Sequence, residues 1–274
     1  MTVSLQVAVL GLGEAGSAIS AGLVAAGAQV HGYDPAAGTP PGIVETGSEA
    51  DAVRGADLVL SVNSAAAAEE ALRNALPGVA PATLWADLNT AAPAVKRRLA
   101  EIADQAGFAF ADVALMAPVP GRGLRTPMLA SGRHAGRYAG LLTPLGARVD
   151  VLDGPAGLAA ERKLLRSVFF KGLAAAVVEA LRAGRAAGCE DWLRENIAGE
   201  LAAADAATVQ RLVDGTHRHA VRRAAEMRAA TDMLTDLGVP PLITRATADL
   251  LRGTARSDPP LVLRKAERAA ELGA

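Results

Sequence analysis

Between residues 5 and 150 the chain alternates short, β-like apolar runs with stretches of helical spacing, a rhythm that predicts a mostly parallel sheet covered by helices. The strand candidates are LQVAVL (5–10), AQVHGY (28–33), DLVLSV (57–62), ATLWAD (82–87), FAFADVAL (108–115) and PMLAS (127–131). Between them, AAAAEEALRNAL and APAVKRRLAEIADQAG have helical patterns, the second closing on Gly107 as a helix C-terminus often does. From Gly157 onward no strand pattern appears. That half is predicted to be helical, with Gly- and Pro-marked breaks near 188, 215, 238–241 and 253–260. The boundary falls in LDGPAG, giving a Rossmann-type, doubly wound α/β domain over 1–155 and an all-α domain over 156–274.

Length and composition sharpen this picture. A chain of 274 residues can bury a sizeable core and reaches the size at which two domains are expected. Only 3% of residues are aromatic, so packing must rely on aliphatic side chains and close helix contacts. The net charge of −1, from 28 basic and 29 acidic residues, gives no electrostatic basis for nucleic-acid or membrane-surface binding. A small-molecule ligand is the expected partner. No apolar run reaches the length of about 18 residues that a membrane span needs, and the N-terminus does not read as a signal peptide. A cytoplasmic location is therefore expected. The single cysteine, Cys189, cannot form an internal disulfide and is expected to be buried and structural; no Cys/His cluster has zinc-ligand spacing.

Candidate chemistry begins at VAVLGLGEAGSAIS (7–20), where Gly11, Gly13 and Gly16 follow an apolar strand and open a small-residue helix. A lone GxGxxG is weak evidence, but strand, helix and next strand all stand in the right order. Gly11 permits a tight turn, Gly13 lets the backbone approach a pyrophosphate, and Gly16 allows the helix to pack closely while its N-terminus faces the phosphates. The segment Gly11, Leu12, Gly13, Glu14, Ala15, Gly16 is thus a phosphate cradle. Asp34 lies 23 residues beyond Gly11, at the end of the next strand, where it can accept from an adenosine ribose and repel a 2′-phosphate. NAD is preferred over NADP on this ground.

Three further segments, taken in order, resemble the β-hydroxyacid dehydrogenases, relatives of 6-phosphogluconate and 3-hydroxyisobutyrate dehydrogenases. ADLNTAAP (86–93) is similar to their D-x-S-T-x-x-P stretch near the nicotinamide, with Asn89 in place of serine and Thr90 retained. DVALMAPVPGRGLRTPMLASG (112–132) stands in place of their substrate clamp, and GLAAERK (157–163) looks like their G-x-G-x-x-x-K with Ala159 replacing the second glycine. The helical half is similar to a subgroup named for a phosphogluconate-dehydrogenase-type C-terminal domain.

The resemblance implies an NAD-dependent oxidoreductase of a small 3-hydroxy acid or related polar alcohol, with Lys163 moving the hydroxyl proton as hydride leaves. Burial and the neighbouring cations Arg162, Arg166 and Lys171 could lower a lysine pKa to suit that task. On a helix starting near 156, Lys163, Ser167 and Lys171 recur every four residues and share one sector, so Ser167 and Lys171 would orient the substrate. Asn63 would line the cofactor groove, Asn89 and Thr90 would face the nicotinamide, and Met116, Ala117, Pro118 and Val119 would form the substrate wall.

Departures from the family pattern affect the substrate most. Ser167 stands where relatives commonly carry asparagine, and Met116-Ala117-Pro118 replaces a Ser-Gly-Gly clamp, which changes how a carboxylate is held. Imine reductases share this architecture but commonly lack the lysine, so imine reduction is the alternative enzyme reading. A nucleotide-binding protein without turnover is the non-enzymatic one. His217, Arg218, His219, Arg222 and Arg223 form either a basic surface face or an anion site, and His31 and His134 have no partner in sequence. A homodimer through the helical half is expected, because SVFFKGLAAAVVEAL offers an apolar face too long for a small domain to bury alone.

Overall fold

A computed structural model describes residues 4–256. They fall into two compact units that divide between Ser167 and Val168. The strands are β1 (Gln6–Leu10), β2 (Gln29–Tyr33), β3 (Val44–Glu45), β4 (Leu58–Ser61), β5 (Leu84–Asp87), β6 (Ala109–Leu115), β7 (Met128–Ser131) and β8 (Val149–Val151). They form one sheet in the order β3-β2-β1-β4-β5-β6-β7-β8. The first six are all parallel, β7 runs antiparallel to β6, and β8 returns parallel to β7. The 3-2-1-4-5-6 order is that of a doubly wound dinucleotide-binding sheet.

Helices α1 (Glu14–Ala25), α2 (Glu49–Ala52), α3 (Ala68–Ala75), α4 (Pro93–Ala106) and α5 (Ala135–Leu142) accompany the sheet. Alternate strand residues supply two cores, one around Val7, Val9, Leu58 and Leu60, the other around Ala8, Leu10, Val59 and Trp85. Burial on both faces explains why these strands read as continuous apolar runs. α4 starts at Pro93, where a missing N–H costs nothing, and ends at Gly107, whose φ of 81° makes the left-handed cap.

All six expected strands form within two residues of their predicted bounds. β3 and β8, of two and three residues, carry too few positions to show a pattern.

After β8 the described residues form only helices: α6 (Leu158–Ala186), α7 (Glu190–Ala202), α8 (Thr208–Asp236) and α9 (Leu242–Arg256). The expected breaks near 188 and 238–241 are present. Gly215 and Gly253 instead lie inside α8 and α9, while 257–260 fall outside the described residues. α8 does depart from helical geometry, but at His219, one turn after Gly215. Helix packing here overrides a glycine penalty of only about 1 kcal/mol. Cys189 also differs from expectation. It is exposed at the start of α7, because the turn after Gly188 lies at the surface.

Within the second unit, the Glu179 carboxylate on α6 caps α9. One oxygen accepts the Ile243 N–H at 2.8 Å, the other the Thr244 N–H at 2.8 Å and its hydroxyl at 2.7 Å. Those are orphan donors of a helix start, so the buried carboxylate fixes α9 to α6.

Candidate functional site

The carboxyl ends of β1, β2 and β4 bound a groove of about 540 Å³, lined among others by Gly11, Gly13, Asp34, Asn63 and Asn74. Gly11 has φ of 100°, and a side chain there would meet the Val62 and Asn63 backbone at 2.7 Å. A Cβ on Gly16 would stand 1.9 Å from the Gly11 carbonyl oxygen, so the helix can lie this close to the turn only without one. Gly13 differs from both, since a Cβ there would meet nothing within 4 Å.

No side chain caps α1. The N–H groups of its first turn, at Glu14, Ala15 and Gly16, therefore have neither a capping side chain nor an intrahelical partner, and present donors and a positive dipole end to an anion. That arrangement fits a dinucleotide pyrophosphate. Asp34 is tied to the same turn: Oδ2 accepts the Leu12 N–H at 2.7 Å, and Oδ1 accepts those of Ala36 and Ala37 at 2.8 and 2.9 Å. Partial burial pushes its carboxyl pKa up, but the three backbone donors outweigh this and hold it below the usual aspartate value. Glu49 and Glu70 also line the groove, and among the described residues no lysine or arginine does. Its wall is acidic.

A second, buried set of groups joins the ends of β5 and β7 and the middle of β6 to the start of α6. Lys96 of α4 is fully buried, its Nζ 2.5 Å from Asp87 Oδ1, 2.7 Å from the Asp87 carbonyl oxygen and 3.3 Å from Asp112 Oδ1. Asp112 Oδ2 accepts the Ser131 hydroxyl at 3.0 Å and the N–H groups of Gly157 and Ala160 at 2.9 and 3.1 Å. Ser131 Oγ in turn accepts the Ala159 N–H at 2.9 Å. Sequence reading missed this set, although one signal for it exists. Lys96 shares its buried helix face with Leu99, Ile102 and Ala103, the position of a core residue and not of a solvated lysine.

Asn89 belongs to the same set. Its amide nitrogen donates to Asp87 Oδ2 at 2.8 Å and Ser61 Oγ at 3.0 Å, and because a carboxylate only accepts, the amide orientation is fixed. Thr90, one residue on, is exposed. Met116 and Ala117 are half-buried after β6 and Pro118 is exposed, whereas Val119 packs into the core and its carbonyl accepts the Arg122 and Gly123 N–H groups. α6 carries Lys163 and Ser167, both half-buried, and the exposed Lys171. Gly157, with φ of 101°, precedes it and lies so close to Pro93 that a Cβ would come 2.8 Å from its carbonyl oxygen. The structure thus gathers Gly11, Gly13, Asp34 and Asn63 about one groove, leaves the Leu12 side chain in the core with its N–H on Asp34, and puts Asn89 in the hydrogen-bonded cluster that also holds the first turn of α6.

In the second unit, His217, Arg218, His219 and Arg222 line a hollow of about 810 Å³ at the α8 kink, together with Asp214 and the end of α9. Arg222 is paired there with Glu226. Arg223 turns away to donate to the Thr216 hydroxyl at 3.0 Å.

Residues 6–124 match the NAD binding domain of 6-phosphogluconate dehydrogenase, and residues 185–254 match a domain of unknown function, DUF1932. The chain thus joins an NAD binding domain of the 6-phosphogluconate dehydrogenase type to a DUF1932 region. An NAD-dependent L-serine dehydrogenase of Pseudomonas aeruginosa is 29% identical over 68% of this chain and 66% of its own length, just under two thirds of that relative. A conserved protein described as structurally similar to 3-hydroxyacid dehydrogenases is 26% identical, with a TM-score of 0.57 over 91% of this chain and 98% of its own. The imine reductase of Myxococcus stipitatus, solved with NADP+, shares the fold at a TM-score of 0.77 and 19% identity, over 90% of this chain and 93% of its own. A variant of that enzyme was solved with NAD+. Among the described residues, no helix is long and apolar enough to cross a membrane.

Proposed function

We propose that this protein is an NAD-dependent dehydrogenase of a small 3-hydroxy acid, with Lys163 as the proton-transfer group. The observation that carries the cofactor choice is the lining of the nucleotide groove: Asp34, Glu49 and Glu70 contribute carboxylates, and among the described residues no lysine or arginine lines it to hold a 2′-phosphate. The L-serine dehydrogenase supports the substrate class, since serine is itself a 3-hydroxy acid.

In this reading the first turn of α1 holds the pyrophosphate and Asp34 accepts from the adenosine ribose. With its NH2 committed to Asp87 and Ser61, Asn89 can offer the nicotinamide end only an acceptor, suited to a carboxamide N–H. When bound, NAD supplies the hydride acceptor. Lys163 takes the hydroxyl proton from the substrate, Ser167 and Lys171 orient it, and Met116, Ala117 and Pro118 wall it in. Val119, being in the core, supports that wall from behind.

The chain is proposed to work as a homodimer through its helical half. Val168 and Phe169 on α6 are 75% and 57% exposed, a surface suited to covering by a second copy.

The deciding experiment follows reduced-nicotinamide absorbance with NAD or NADP and a panel of L-serine, other 3-hydroxy acids and sugar acids, and with NADH or NADPH and cyclic imines. NAD-linked oxidation of a hydroxy acid, lost in Lys163→Ala, is the expected result. Turnover of imines alone, or a Lys163→Ala variant as active as wild type, would move the assignment to imine reduction. Tight NADH binding without turnover of any compound would make the chain a nucleotide-binding protein.

A further inference from the structure

The buried Asp87–Lys96–Asp112 cluster sets two carboxylates against one ammonium, leaving an excess negative charge in a place closed to water. That excess is met by the backbone of α6. Asp112 Oδ2 accepts the Gly157 and Ala160 N–H groups, and Ser131 Oγ accepts that of Ala159, so three donors at the positive end of a 29-residue helix close the circuit. In the other direction Asp87 Oδ2 holds the amide of Asn89. A continuous run of contacts therefore joins Asn89, the residue assigned to the nicotinamide, to the first turn of the helix that carries Lys163. Lys163 follows Ala160 by three residues, about 4.5 Å of helix rise.

An apolar cluster of equal volume would serve stability as well as a buried ion set often does. It could not satisfy the free N–H groups of α6 or fix their position against β6 and β7. We propose that Asp112, supported by Lys96 and Ser131, is a positioning residue that sets where α6 holds the Lys163 amine relative to Asn89. The inference rests on the proton-transfer role given to Lys163. Its consequence is kinetic, because a displacement of about 1 Å at a reacting group can cost roughly 100-fold in rate.

The test is a double-mutant cycle in the full chain. Asp112→Asn keeps the shape and removes the charge, and Ser131→Ala, a milder change, serves if Asp112→Asn fails to fold. Each is made alone and with Lys163→Ala, using NAD and whichever substrate of the panel is turned over. Each single variant is expected to lower kcat about 10-fold or more, to leave NADH affinity within about twofold, and to add no further loss on the Lys163→Ala background. A loss that adds fully on that background, or an unchanged kcat in folded variants, overturns the proposal.

A second readout needs no substrate. The chain has four lysines, of which Lys96 is buried, so acylation of Lys163 can be followed by mass spectrometry across pH with exposed Lys171 as internal reference. Asp112→Asn and Ser131→Ala are expected to change the Lys163 labelling rate several-fold and to leave Lys171 unaltered. Unchanged Lys163 labelling in both overturns the positioning role. An active Lys163→Ala enzyme, by contrast, overturns only the proton-transfer assignment.

Discussion

The Asp34 carboxylate accepts the Leu12 N–H at 2.7 Å, so the residue assigned to the adenosine ribose also braces the turn assigned to the phosphates. Replacing it should disturb both ends of the cofactor. Asp34→Ala is expected to weaken NADH binding by about 1.5–3 kcal/mol, the worth of hydrogen bonds to a charged group. Discrimination against NADPH should fall at the same time, because one carboxylate of the acidic groove wall is gone. Fluorescence titration with both reduced cofactors measures the two effects, and unchanged NADH affinity would remove Asp34 from the site.

The two glycines flanking Ala15 and Glu14 should behave in opposite ways. Gly16→Ala forces a methyl group to within 1.9 Å of the Gly11 carbonyl oxygen unless the backbone moves, so stability should drop by about 1–3 kcal/mol or more in urea titration. Gly13→Ala meets nothing within 4 Å and should unfold at the same urea concentration as wild type. Its methyl group would instead occupy the pyrophosphate's approach, and NADH affinity should fall. Equal melting of the two variants would contradict the turn geometry.

The contrast between these glycines shows what a sequence can reveal. The strand–turn–helix order around Gly11 is local, and so are the alternating runs behind six strands and the caps of α4, Pro93 and Gly107. The Lys96 cluster is not local. Asp87 and Asp112 lie 9 and 16 residues away on two different strands, and only sheet pairing of β5 with β6 brings them to one lysine. Gly215 misleads for a related reason. In the folded chain the Arg223 guanidinium packs over it, 3.1 Å from where a Cβ would stand, and the helix continues through it.

Lys96→Met tests the buried cluster as a source of stability. Removing the ammonium leaves Asp87 and Asp112 facing each other without a cation, and breaking such a buried pair typically costs about 3–5 kcal/mol. The variant should be less stable by that order in urea. A loss below about 1 kcal/mol would mean that water reaches the cluster.

Glu179 gives the helical unit its own pH dependence. Burial raises the pKa of its carboxyl, but the donors Thr244, Ile243 and Leu242 outweigh burial and hold it below the ordinary glutamate value of 4.5. A lowered folded-state pKa contributes stability that is fully present above the unfolded value and is lost as pH falls through the folded one. Wild type should therefore lose stability below about pH 4.5 more steeply than Glu179→Gln, which has no charge to lose. At neutral pH the order reverses, the variant being weaker because an amide presents one fewer acceptor to the start of α9. Parallel acid titrations by circular dichroism would reject the capping role if the two slopes coincide.

Dimerisation has its most direct test on α6. Val168 and Phe169 are 75% and 57% exposed, and Phe169 stacks edge-on against Phe170 at 5.1 Å between ring centres, so an apolar, pre-ordered surface faces outward. Leaving it in water is unfavourable by about 25 cal/mol for each Å² that a partner could cover. A glutamate at position 169 would carry a charge into any such contact while costing little in an isolated chain, where the site is already wet. Sedimentation velocity should thus show a dimer for wild type and a monomer for Phe169→Glu, with the same helix content in both. A wild-type chain that stays monomeric at high concentration would refute the dimer, and a dimeric Phe169→Glu would move the interface to another face of the helical unit.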